Sequence, residues 1–218
     1  RVGFEVVPRS TSFSDTDVAR AALTVIDREG LAAFTMRNVA SELGVAPMSL
    51  YRYVRNREHL EELVVELLMS DVDLTVSKRS SWRRQMTILV ERVRVVLEMH
   101  PSVLPLALPH RLTSGNGLRL SETVYQILLD AGFTSAQRER ANRLLMVYLL
   151  GSIQFELYGP LSRTGASGLS KLSVDEHPLL LEALRQQRTT DASKDFLSGL
   201  TVVLDGLELS RRTIRERI

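Results

Sequence analysis

Apolar residues recur every three or four positions along most of the chain, and no alternating run long enough for a strand interrupts them. Ser14, with Asp17 three residues on, predicts a helix start: Ser14 covers a free N–H and Asp17 sits in the positive first turn. Val18, Ala22, Val25 and Ile26 then share one face, and Gly30 predicts the stop. Thr35 caps a second helix whose Met36, Val39, Ala40 and Leu43 line one side before Gly44 ends it. Pro47 opens a third, because a first-turn proline loses only an N–H that has no partner there. Its Leu50, Tyr53 and Val54 turn inward, while Met48, Ser49, Arg52 and Arg55 turn out. A longer helix from Asn56 buries Leu60, Leu63, Val64, Leu67 and Leu68, with Glu58, Glu61, Glu62 and Glu66 expected in water. Two short helices around a glycine break, from Thr35 to Arg57, have the layout of a helix-turn-helix.

Beyond a polar break at Ser77 to Ser81, Trp82 to Met99 is helical, with Trp82, Met86, Leu89, Val90, Val93 and Leu97 in period. Pro101, Pro105 and Pro109 make the next apolar piece short, kinked or irregular. Thr113 to Gly117 reads as a loop, and Leu118 to Ala131 as a helix stopped at Gly132. Ser135 to Tyr158 is the long helix. Its centre is apolar nearly all round, so it is expected to serve both core and interface. Gly159 to Ser173 is rich in Gly, Ser and Thr, lacks helical period and is the candidate for a mobile loop, either a gate to a pocket or a plain connector. Helices follow over Pro178 to Gln187 and Ala192 to Arg212, the last with Gly199 and Gly206 where another helix could come close. The fold class is all-α.

Composition narrows the chemistry. The 218 residues include no cysteine, which removes disulfides, thiol catalysis and thiolate metal sites. Lys and Arg exceed Asp and Glu by 28 to 26, so net charge does not point to nucleic acid and local placement must. No run approaches the roughly 20 apolar residues of a membrane span, and no basic segment leads into an apolar stretch. The expectation is a soluble, cytoplasmic protein. Residues 1–13 form an aperiodic arm, expected to be flexible, whose Arg1 and Arg9 are candidates for a DNA minor groove. Its start at Arg rather than Met points to residues preceding it.

Enzyme chemistry finds little support. His59, His100, His110 and His177 are scattered, and neither a His-Glu-x-x-His spacing, a glycine-rich phosphate loop nor a Gly-x-Ser-x-Gly elbow occurs. No cofactor and no metal site are expected.

The stretches Thr35-Met36-Arg37-Asn38-Val39-Ala40, Leu43-Gly44-Val45, Leu50-Tyr51-Arg52-Tyr53-Val54 and Asn56-Arg57 resemble the tetracycline-repressor (TetR) family of transcriptional regulators. So do Trp82, Leu129 to Phe133, Gly151, Leu179 to Leu184 and Phe196 to Glu208 farther on. The resemblance implies a helix-turn-helix DNA-binding domain at 14–58 and an effector-binding and dimerisation domain at 59–218. It implies a homodimer, joined through helices 135–158 and 192–212, that represses from a pseudo-palindromic operator until a small molecule binds. Family positions that touch DNA fall on Pro47, Met48, Ser49, Tyr51 and Tyr53, with Arg37 and Arg57 near phosphates. Side-chain chemistry agrees in part, since serine reads base edges, methionine touches thymine methyls and arginine neutralises phosphate. Leu106 and Phe155 stand where the tetracycline repressor uses polar ligands for its drug–magnesium chelate, which argues for a different, largely apolar effector. Pocket candidates are Trp82, Met86, His100, Leu104, His110, Tyr125 and Tyr148, with Gln126 and Asn142 as polar anchors. A DNA-binding regulator without effector is the alternative, and a small helical enzyme a remote one.

Overall fold

The computed structural model describes residues 12–158, 173–189 and 191–215. Over them the regular structure is helical: α1 (Asp15–Glu29), α2 (Met36–Glu42), α3 (Pro47–Leu50), α4 (Arg57–Ser70), α5 (Trp82–Met99), α6 (Leu104–His110), α7 (Gly115–Asp130), α8 (Ser135–Tyr158), α9 (Pro178–Thr189) and α10 (Ala192–Arg215). Short 3₁₀ turns occupy Leu31–Ala33 and Pro101–Val103. Arg1, Arg9 and all of the 159–173 segment except Ser173 lie outside the described residues.

Local chemistry explains the head. Ser14 and Asp17 form the full capping box, and Thr35 and Asn56 accept the N–H groups of Asn38 and His59. Ala46 leaves α3 without a side-chain cap, and α3 stops after four residues. Gly30 and Gly44 adopt φ of 80° and 70°, backbone that costs a residue with a Cβ roughly 1 kcal/mol or more. Val18, Ile26, Phe34, Val39, Leu50, Val54, Leu60 and Val64 close the head's core, with α1 packed on α2 and α4.

The larger part stacks α5, α7, α8 and α10 around Met86, Leu89, Leu97, Leu128, Leu145, Leu149, Ile153, Phe196, Leu200 and Leu204. Helix α4 belongs to both parts, because it packs on α1 as well as on α5, α6 and α7. Two expectations are corrected here. Helix α7 starts at Gly115, three residues early, since Ser114 caps it by accepting from Gly117 N–H. Glu61 and Glu66 are not simply hydrated: Glu61 meets His110 of α6 at 3.0 Å, and Glu66 accepts the backbone N–H of Asn116 at 2.7 Å.

Candidate nucleic-acid interface and effector cleft

The reading segment follows its predicted period at Leu50, Val54, Met48, Arg52 and Arg55, while Ser49 and Tyr53 lie between the two faces. Leu50 and Val54 are buried, whereas Met48 and Tyr51 are 76% and 50% exposed. Pro47 is exposed and Ser49 half-buried. Tyr53 is half-buried, its ring edge-on to Phe13 with centroids 5.8 Å apart. Arg37, Arg52 and Arg55 are exposed and have no carboxylate partner among the described residues, so the segment is locally cationic despite the balanced chain. Arg57 is held differently: its Nε donates to Glu61 at 2.9 Å and its guanidinium lies 5.1 Å from the Phe34 ring centre.

In the larger part, α6, α7 and α8 enclose a cleft of about 680 Å³, lined among others by Leu104, Pro105, Leu108, Arg111, Tyr125, Asn142 and Leu150. An apolar crevice of about 60 Å³ continues inward between α5, α7 and α8, past Met86, Leu89, Val93 and Leu145. The outer cleft has the size of a small-molecule site; the crevice admits only a small projection.

Of the residues expected at a pocket, Met86, Leu104, Tyr125 and Asn142 line these spaces. The others are engaged elsewhere. Trp82 donates to Glu208 at 3.2 Å and packs edge-on to Phe133. Tyr148 donates its hydroxyl to the Phe196 carbonyl, and Gln126 donates to Asp130. His100 Nδ1 lies 2.7 Å from Asp27 of α1, and His110 Nε2 lies 3.0 Å from Glu61 of α4. His100 therefore joins the head to the larger part, and His110 ties α4 to α6. Arg111, which lines cleft and crevice alike, went unanticipated. The available signal was a lone cation directly after the apolar, proline-rich run 101–110, with no acid within four residues on either side.

Glu208 has a structural role that pH will expose. Hydrogen bonds from Arg211, opposed by burial and joined by Arg212 and Trp82, hold its carboxyl down at about 2. A carboxyl depressed in the fold stabilises above its ordinary value near 4.5 and loses that contribution as pH falls toward 2. Glu208→Gln is expected to cost about 2 kcal/mol near neutrality. In thermal melts the gap from the unmodified protein should stay constant above about pH 5 and close below pH 4; a gap independent of pH would refute the charge-based account.

Residues 19–64 match the family model for bacterial regulatory proteins, tetR family, and residues 77–211 match that for the tetracyclin repressor-like, C-terminal domain. The chain belongs to the TetR family. Among its relatives, an HTH-type transcriptional regulator of Saccharopolyspora erythraea is 32% identical over 139 residues, which span 64% of this chain and 59% of that protein. The class A tetracycline repressor from transposon 1721 of Escherichia coli is 26% identical over 94% of this chain and 95% of its own length. ActR of Streptomyces coelicolor, solved without ligand, has the same fold with a TM-score of 0.79 at 22% identity, covering 93% and 98% of the two chains. ActR has also been solved in complex with actinorhodin. TetR-family proteins bind DNA operators. With both family domains in one chain, this protein is a TetR-family transcriptional regulator, and these relatives are regulators rather than enzymes. No described helix is long and apolar enough to cross a membrane.

Proposed function

We propose that this TetR protein acts in the cytoplasm as a homodimer that binds a pseudo-palindromic operator and is released by a small, largely apolar effector. In this reading residues 14–58 are the reading head and residues 59–218 bind effector and partner subunit. The observation that carries it is the pairing, in one chain, of a cationic reading face with a ligand-sized cleft, linked by a helix packed on both. Met48, Ser49 and Tyr51 supply base-edge and methyl contacts, and Pro47 and Tyr53 shape the approach. Arg37 and Arg57 neutralise phosphate.

The dimer is supported by α8 and α10. Leu144, Phe155 and Tyr158 on α8 and Val202 and Leu209 on α10 are all 45% exposed or more, an apolar face that a lone subunit would leave in water. A Cβ added at Gly151 or Gly206 meets nothing within 4 Å, so a second pair of helices has room there. Release is proposed to run through α4. The Glu61–His110 and Glu66–Asn116 contacts tie α4 to the two helices that border the cleft, and Asp27–His100 ties down α1. An effector that shifts α6 and α7 thereby tilts the heads, with a coupling of about 1 to 3 kcal/mol.

Selection from random DNA duplexes tests the reading. It should return half-sites about 34 to 36 Å apart, centre to centre. Arg37→Ala should weaken binding to all selected duplexes alike and make the salt dependence shallower by about one phosphate's worth. Arg57→Ala should act the same way, though its bond to Glu61 must first break. A loss confined to one base position would sink the phosphate role.

A further inference from the structure

The cleft and its inner crevice share Arg111, Ser121, Asn142, Met146 and Leu150. Three charged side chains border the cleft: Arg111, Glu139 and Arg143. Glu139 and Arg143, one turn apart on α8, pair with each other and cancel. Arg111 is half-buried and has neither a carboxylate partner nor a side-chain hydrogen bond among the described residues. A guanidinium partly withdrawn from water, with no counter-charge, favours an anion in that space. Its neighbours limit what else the anion touches. The Ser121 hydroxyl donates to the Gly117 carbonyl, so its proton is committed, whereas the Asn142 amide has no such bond among the described residues. The remaining walls are mostly apolar: Leu104 and Leu108 outside, Met86 and Leu89 within.

We propose that the effector is an apolar organic acid, with one anionic group held by the Arg111 guanidinium and the Asn142 amide. Its body lies in the outer cleft against Leu104, Leu108 and Leu150, and a small apolar end enters the crevice. This assignment rests on the reading of the cleft as the effector site. A cation of the same shape is repelled at Arg111, and a neutral one leaves the guanidinium unpaired, so the charge discriminates among ligands that the apolar walls would accept equally.

Two dyes with one aromatic body provide the test. The purified full-length chain is titrated by fluorescence with 8-anilinonaphthalene-1-sulfonate, an anion, and with N-phenyl-1-naphthylamine, its uncharged counterpart. Arg111→Gln is expected to weaken the sulfonate about 10- to 100-fold, the range for a lost charge-assisted hydrogen bond, and to leave the neutral amine unchanged. Leu150→Trp, which fills the junction, should abolish binding of both. Circular dichroism melts of each variant separate a lost site from a lost fold. Equal effects of Arg111→Gln on both dyes, or none on either, overturn the acid assignment while leaving the cleft as the binding place. If both dyes still bind Leu150→Trp, or neither binds the unmodified chain, the effector-cleft reading falls along with the acid.

Discussion

Replacing Arg94 by alanine is expected to lower the stability of the fold by about 3 kcal/mol, or about 6 to 12 °C in melting temperature for a chain of this length. Arg94 lies on α5 with only 8% of its side chain exposed, bonded to Glu98 at 2.5 Å and to both Glu156 oxygens at 3.1 and 3.2 Å. Its guanidinium also covers the Phe196 ring at 4.3 Å, so one side chain joins α5, α8 and α10. The cost is placed at the low end of buried pairs because Glu98 and Glu156 keep 35% and 32% exposure and water can reach them. Burial pushes the Glu156 carboxyl up, and Arg94 pulls it down. A carboxyl raised in the fold stabilises in its protonated form, below its ordinary range, and loses that contribution as pH rises through the raised value. Without Arg94 it rises further, so the deficit should widen as pH climbs above the ordinary carboxylate range. Adding Glu156→Gln to an Arg94→Met background should recover much of the loss, because the uncompensated charge goes with it. A single-variant loss below about 1 kcal/mol would show that solvent replaces the cluster freely.

That cluster leaves no trace in the sequence, and the reason is physical. Helices and caps are decided within four or five residues, so Ser14 and Thr35 are legible as caps and Asn56 as a helix start, as is the outward turn of Met48. Side-chain partners are decided by which helices meet. Trp82 and Glu208 are 126 residues apart, and His100 and Asp27 are 73. From period alone a half-buried histidine beside a pocket and one bridging two helices look the same. The start of α7 misled for a related reason. Two glycines within three residues normally signal a loop, but here Ser114 and the distant Glu66 satisfy the first-turn N–H groups and hold those glycines helical.

The cleft was partly legible. Met86, Leu104, Tyr125 and Asn142 are pocket candidates from the sequence and line the cleft or its crevice. Arg111 sits past a proline-interrupted helix where no stripe is defined. Its position is set by the corner between α6 and α7, and that corner turns on one glycine.

Gly117→Ala should therefore be the second most damaging single change, costing about 3 kcal/mol even though alanine normally favours a helix by about 1. A Cβ at position 117 would overlap the Arg111 carbonyl oxygen and crowd the Ser114 hydroxyl that caps α7. Backbone cannot swing aside as a side-chain tip can. Either α7 unwinds its first turn, freeing Asn116 from Glu66, or the Arg111 segment is pushed away. Both displace the guanidinium from the junction of cleft and crevice, so the surviving folded protein should bind the anionic naphthalene dye as poorly as Arg111→Gln does. Gly206→Ala is the matched control, since nothing lies within 4 Å of its added Cβ, and its melting temperature as an isolated subunit should hold or rise slightly. A Gly117→Ala protein that melts with the unmodified chain and keeps full anion binding would show the corner to be yielding, and Arg111 would then owe its position to something other than the α6–α7 backbone.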